Sequence, residues 1–219
     1  VAIKDQENRQ AEFQHLAYYR ILILLFVELN LSPPVLGLPT QNFNNFNQLP
    51  ASDVIAESVQ FQVLKKFTET LKILEPSKVP SFAFAWLDFL SHRLFIEKCL
   101  SGQIAGRSSG NIYKGWQLYA QLLIDLIKFE APFLRNVELP QSVDLLYKGT
   151  LKMFLVLLHD FPEFLCGYCY SLCDVIPCNA IQLRNLVLSA FPRKMRLPDP
   201  FTPNLKIDQL PEMSQPPKT

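Results

Sequence analysis

The sequence predicts an all-α protein, a HEAT-like α-solenoid of stacked antiparallel helices with an extended proline-rich segment at its C-terminal end. Three observations carry this. Apolar residues recur at helical spacing in stretch after stretch. Glycine is scarce, at seven in 219 residues, and Leu and Phe outnumber the β-branched residues. Prolines cut the chain into segments each long enough for one or two helices. No exact repeat is visible, so the stack rests on helix order alone.

A first helix is expected over about Gln10 to Leu31, stopping before Pro33-Pro34. Its run Ile21–Val27 is too short for the roughly 20 residues of a membrane span and reads as a buried helix. No signal-peptide n-region or cleavage site precedes it. An Asn- and Gln-rich loop, Gly37 to Gln48, follows, with its two Phe residues available to tack it onto the body. Ser52 offers an N-cap for a second helix, in which Leu64, Phe67, Leu71 and Leu74 recur at helical spacing.

A third helix, about Ser81 to Leu100, carries Phe82, Trp86, Phe89 and Leu90. The glycine-containing stretch Ser101–Asn111 reads as a surface insert. Beyond it, Tyr119, Leu122, Leu123, Leu126 and Ile127 form one continuous stripe ending near Pro132. The helix from Gln141 to His159 becomes apolar all round at Met153–Leu158, as expected of a helix wrapped by others. Shorter helices around Glu163–Cys173 and Ile181–Phe191 complete about seven. In the last of these, Gln182, Asn185 and Ser189 oppose Leu183, Leu186 and Val187.

The helical part is assigned to residues 1–196 and the extended segment to 197–219. Seven prolines fall between Pro192 and the end of the chain, with Leu197, Phe201, Leu205, Ile207 and Leu210 among them, which suits side chains that dock into grooves. The beginning at Val1 and the polar end suggest a piece of a longer polypeptide.

Composition narrows the function. A formal net charge of +1 provides no broad field for a polyanion. The five cysteines are odd in number, and Cys166, Cys169, Cys173 and Cys178 crowd together, which disfavours a secreted disulfide framework and suggests a reducing compartment. Zinc needs four converging ligands, usually from two separated pairs. Here Cys166, Cys169 and Cys173 fall at i, i+3 and i+7, so they read as small core residues on one helix face. His159-Asp160 beside Cys166 could suggest a thiol nucleophile and its base. The apolar neighbours Phe161, Phe164, Leu165 and Tyr168 would raise the thiol pKa, and Asp160 suits a cap for the helix that Pro162 opens. No catalytic residue, metal ligand or cofactor is therefore expected.

Arg193, Lys194 and Arg196, with Arg184 upstream, read as a solvated helix end that complements the helix dipole. An RNA-binding helical repeat using these four charges is the alternative, weakened by the lack of interleaved aromatics. A zinc or thiol hydrolase around His159 and Cys166 is a remoter one. Trp86 and Trp116 read as core anchors.

Long words of this sequence resemble one family. They are FAFAWLDFLSHRLFI (Phe82–Ile96), KGWQLYAQLLIDLIKFEAPFLRNVEL (Lys114–Leu139), LYKGTLKMFLVLLHDFPEFLC (Leu146–Cys166) and, from Cys173 to Asp208, CDVIP followed by IQLRNLVLSAFPRKMRLPDPFTPNLKID. The chain is similar from about Leu71 onward to the C-terminal superfamily homology domain of the Not-one scaffold subunit of the CCR–NOT deadenylase complex. Departures are the longer Gly102–Asn111 loop and Cys169 and Cys178, which stand at non-cysteine positions of the family pattern. The resemblance implies a non-catalytic platform, roughly the N-terminal half of the family domain, that binds Not-two and Not-three or Not-five subunits and the Not-four ubiquitin ligase. It implies a role in mRNA deadenylation and translational repression in the cytoplasm, including processing bodies, and in the nucleus. RNA contact would be indirect, with no membrane and no small-molecule substrate. Within it, Arg193, Arg196, Leu197, Pro198, Pro200, Phe201, Pro203 and Leu205 are the expected partner-binding residues, as a docking strap or as a pin to the rest of the domain.

Overall fold

A computed structural model describes residues 13–31, 51–101, 112–135, 138–193, 199, 201–206 and 208. Among them are nine α-helices, one 3-10 turn at Pro80–Phe82 and no strand. In chain order these are α1 (His15–Leu31), α2 (Ala51–Ile73), α3 (Ala83–Leu90), α4 (Arg93–Leu100), α5 (Ile112–Leu134), α6 (Gln141–Asp160), α7 (Pro162–Gly167), α8 (Cys169–Val175) and α9 (Ile181–Leu188). No helix among the described residues is long and apolar enough to cross a membrane.

Helix α5 lies at the centre. It packs against α2, α4, α6 and α8, while α6 packs on α3, α7 and α9, and α1 closes over α2 and α3. The stripe Tyr119, Leu122, Leu123, Leu126 and Ile127 is wholly buried, as its spacing predicts. A chain of aromatic rings runs through the core. Phe26 of α1 meets Phe67, Phe89 and Phe95 at centroid distances of 5.0, 5.7 and 5.4 Å. Phe95 then meets Tyr119 at 6.0 Å, and Tyr119 meets Phe164 of α7 at 5.7 Å. Offset and edge-on contacts of this kind add about 0.5–1.5 kcal/mol each beyond the area they bury.

Several boundaries differ from the sequence expectation. Helix α1 begins at His15, and the residues before 13 lie outside the described part, as do the loops at 37–48 and 102–111. Helix α2 begins at Ala51, one residue before the Ser52 cap expected there. The single helix expected over Ser81–Leu100 is broken between α3 and α4 at Ser91-His92, where His92 turns extended at ψ 126°. The helix expected over Glu163–Cys173 is broken at Tyr168, whose φ and ψ of −113° and 13° leave the helical region. Neither break has a proline to announce it. Helix α5 runs through Pro132 to Leu134, and only the final turn has to accommodate the ring.

Two burial expectations are corrected. Helix α1 is not buried all round: residues 15, 18, 19, 22, 23, 26, 27 and 30 turn inward, and Leu16, Ile21, Leu24, Leu25 and Leu29 face out at 49–62% exposure. Helix α6 is not wrapped either. It buries Leu146, Thr150, Met153, Phe154 and Leu157 on one face and exposes Leu145, Leu155 and Val156 on the other. An all-apolar run states only that no face is polar; it does not say that every face has a neighbour.

The helix C-termini show a recurring device. The last carbonyls of a helix lack intrahelical donors, and a left-handed glycine is the common remedy. Here side chains from later elements donate to them instead. Trp86 Nε1 donates to Leu71 O of α2 at 2.9 Å, Tyr119 Oη to Leu90 O of α3 at 3.0 Å, and Trp116 Nε1 to Leu100 O of α4 at 3.1 Å. Asn179 Nδ2 donates to Leu134 O of α5 at 2.6 Å. Arg184 Nη2 reaches Cys173 O and Ile176 O at the end of α8, at 3.0 and 2.9 Å. Each such bond also fixes one helix against the next. Replacing Arg184 by alanine is therefore expected to cost about 2 kcal/mol in urea unfolding, with lysine restoring only part of it because its flexible, strongly hydrated ammonium is less pre-organised than the planar guanidinium.

Candidate functional site

Of the residues that suggest covalent chemistry, His159 is hydrogen-bonded to Asp160, its chain neighbour, with Nδ1 and Oδ1 2.7 Å apart on the surface. Asp160 is not the cap of α7; the N-cap position is Phe161, without a side-chain cap. Cys166 is half-buried, and burial, followed by Cys169 and Glu163, pushes its thiol above the ordinary range. Burial first, then Cys169, does the same to Cys173. A thiol with that environment is a poor nucleophile at neutral pH. Among the described residues no group of three or more His, Cys, Asp or Glu side chains could hold a metal ion.

The cysteines are not the uniform core face that their spacing suggested. The break at Tyr168 puts Cys169 at the start of a new helix, so i, i+3, i+7 does not describe one surface. Cys166, Cys169 and Cys173 are half-buried and Cys178 is exposed, whereas Cys99 is buried. Cys169 and Cys173 pack against the margin of the core.

The basic cluster divides. Arg184 is the cap of α8 described above. Arg193 Nη2 donates to His159 O and, at 3.1 Å, to Asp160 O, the last carbonyls of α6, while its backbone N–H donates to Glu163 Oε1 at 3.1 Å. Both guanidinium groups thus complement helix C-termini, of helices other than their own. Lys194 and Arg196 lie outside the described residues.

Of the expected partner-binding strap, Arg196, Leu197, Pro198 and Pro200 also lie outside the described residues, whereas Phe201, Pro203 and Leu205 are described. Two turns carry them, with Thr202 N–H donating to Asp199 O at 3.0 Å and Leu205 N–H to Thr202 O at 3.3 Å. Asn204 sits at φ 61°, in the left-handed region that asparagine tolerates. Asp199 Oδ1 accepts the Phe201 N–H at 3.0 Å, and the Phe201 ring stands 89% exposed. This described part is turned, not extended.

Surfaces that sequence reasoning missed are better candidates for holding another protein. The outward face of α1 carries Leu16, Ile21, Leu24, Leu25 and Leu29 with only Arg20 and Glu28 as charges. On α9, Ile181 and Leu188 stand seven residues apart on one face, 62% and 58% exposed. Between α4 and the end of α6 is a groove of about 520 Å³, floored by Ile96, Val156 and Phe161 and rimmed by Ser91, Arg93, Glu97 and Asp160. Arg93 Nε and Glu97 Oε1 pair at 2.8 Å along that rim. A grouped set of exposed aliphatic side chains is the usual surface mark of a docking site. The signal was present in the sequence as apolar residues at positions 16, 21, 24, 25 and 29, offset from the equally apolar inner face.

Comparison with known proteins agrees with the sequence resemblance. Residues 46–219 match the family model described as CCR4-Not complex component, Not1. The chain is 44% identical, over 98% of its length, to the CCR4-NOT transcription complex subunit let-711 of Caenorhabditis elegans, of which it covers 8%. It is 38% identical over 76% of its length to general negative regulator of transcription subunit 1 of Schizosaccharomyces pombe, covering 7% of it. The chain thus spans less than a tenth of the length of these relatives. In three dimensions, 99% of the chain superimposes on 38% of the NOT1 superfamily homology domain from Chaetomium thermophilum, with a TM-score of 0.76 and 27% identity. A second solved structure, a Not1 C-terminal domain in complex with Not4, matches with a TM-score of 0.65 and 27% identity over 99% of this chain and 39% of that one. With the family model matched over most of its length, the chain belongs to the Not1 component family of the CCR4-Not complex.

Proposed function

We propose that this chain is a non-catalytic docking module within a Not-one scaffold, and that it holds the Not-four subunit and the Not-two and Not-three or Not-five subunits against the deadenylase assembly. The observation that carries this is the outward face of α1, where five large aliphatic side chains stand 49–62% exposed. A structurally similar domain in complex with Not4 supports the choice of partner. In this reading the module contributes to mRNA deadenylation and translational repression through what it recruits, in the cytoplasm, its processing bodies and the nucleus. Apolar anchors seated on α1 would each contribute about 1–3 kcal/mol, and any strap contacts through Phe201 and Leu205 would add to them.

The test is a pull-down of the purified chain against Not-four, the Not-two/Not-three pair and a short poly(A) RNA. Capture of one or more subunits with no retained RNA at 150 mM salt is the expected result. Retention of RNA alone, lost steeply as salt rises, would replace the reading with the RNA-binding one. Stoichiometric zinc by elemental analysis, or a thiol that titrates below neutrality, would move it toward catalysis.

A further inference from the structure

Glu130 is a carboxylic acid in an apolar core. It projects from α5, has no exposed surface, and has a single hydrogen-bond partner, Thr150 of α6, whose Oγ1 donates to Oε1 at 2.7 Å. Its second oxygen, Oε2, is buried and has no partner. Around it, α6 supplies one titratable group, Tyr147, whose phenol is raised by burial first, lowered by the Leu183 backbone of α9, and raised again by the charge of Glu130. Among the described residues no charged side chain of α2, α4 or α8, the other helices packed on α5, acts on Glu130. The half-buried cation of α9, Arg184, is committed to the carbonyls of Cys173 and Ile176.

A buried carboxylate with one donor and no cation is unfavourable, whereas the neutral acid, even with Oε2 unpartnered, costs much less. We propose that Glu130 is a proton-operated latch between α5 and α6: protonated, it lets the two helices seat, and deprotonated, it places in their joint a charge that the Thr150 hydrogen bond offsets only in part, and loosens it. The latch lies in the helix pair that carries the core, so it would set how firmly α6, with its exposed Leu155 and Val156, is held in the stack.

The expected pH dependence has a definite sign. Burial raises the Glu130 carboxyl from 4.5 to about 7, with the Thr150 hydrogen bond acting in the opposite direction. Stability from this group is fully present below about 4.5, falls as pH rises between 4.5 and about 7, and levels off above that. The corresponding change in the folding equilibrium is on the order of 100-fold.

The experiment is urea unfolding of the 219-residue chain and of Glu130→Gln at half-unit steps from pH 4.5 to 8.5, read as a difference so that groups common to both cancel. Wild type should lose on the order of 100-fold in folding constant across this range relative to Glu130→Gln, whatever their absolute stabilities. A difference that stays flat with pH overturns the proposal. Thr150→Val should move the midpoint upward, because it removes the bond that favours the charged form; an unmoved midpoint counts against the contact. If Glu130→Gln fails to fold, carboxyl-carbon NMR of the wild-type chain decides. Titration near neutrality supports the latch, and titration near 4.5 ends it. Amide exchange around Tyr147–Thr150, corrected for its intrinsic pH dependence, should rise from pH 6 to 8 in wild type and not in the Gln variant; equal rises would show that the loosening has another origin.

Discussion

Replacing Trp86 by alanine is expected to remove about 5 kcal/mol of stability. The ring is wholly buried, so its loss combines the transfer term with a large cavity, about 3–5 kcal/mol for an aromatic residue. It also leaves Leu71 O of α2 without its side-chain donor, adding about 1 kcal/mol. Thermal unfolding should show a Tm lowered by about 10–20 °C for a chain of this size. Trp86→Phe keeps most of the volume and loses the hydrogen bond, so it should cost about 1–2 kcal/mol. Equal effects of Ala and Phe would mean that the cap, not the packing, dominates.

Gly115→Ala is the second large effect, and its sign opposes helix propensity. Alanine gains about 1 kcal/mol over glycine inside a helix. At this position, however, a Cβ would sit 2.4 Å from the backbone carbonyl oxygen of Cys99, so α4 and α5 would have to separate. That separation disturbs the neighbouring Trp116–Leu100 hydrogen bond as well. A net loss of about 3 kcal/mol is expected from urea unfolding. Gly149→Ala meets the end of the Leu87 side chain at 2.6 Å, which can rotate, and should cost less. Gly167→Ala meets Trp116 at an ordinary 3.8 Å and should be nearly neutral. The order Gly115, Gly149, Gly167 in the three losses is the check on the geometry.

Much of the fold was legible because helical periodicity reports which residues share a face. The α5 stripe, the inward Leu183 and Val187 of α9, and the buried Trp86 of α3 all followed from it. What spacing cannot report is whether a face has a neighbour. Helix α1 is apolar on both sides, and only the structure distinguishes buried Phe26 from exposed Leu24 and Leu25. The breaks at Ser91-His92 and Tyr168 were hidden because the residues there are compatible with helix, and tertiary packing decided against it. The side-chain caps of the helix ends were hidden for a different reason. Trp86 and Leu71 are 15 residues apart, Asn179 and Leu134 45, and no local pattern links such pairs. The same non-locality changed the meaning of Arg184 and Arg193, from the solvated end of their own helix to the donors that close α8 and α6.

In the proposed function, an exposed apolar face of this stack is a docking surface for another subunit of the complex. Its most direct test is calorimetric titration of Not-four into the chain and into the double variant Ile21→Glu, Leu25→Glu, both positions being outward on α1 and more than half exposed. Unchanged Tm, measurable binding to the wild-type chain and a loss of about 100-fold or more in the variant are expected for two apolar anchors. Binding of equal affinity to both proteins, or no binding to the wild-type chain, would contradict the proposed docking.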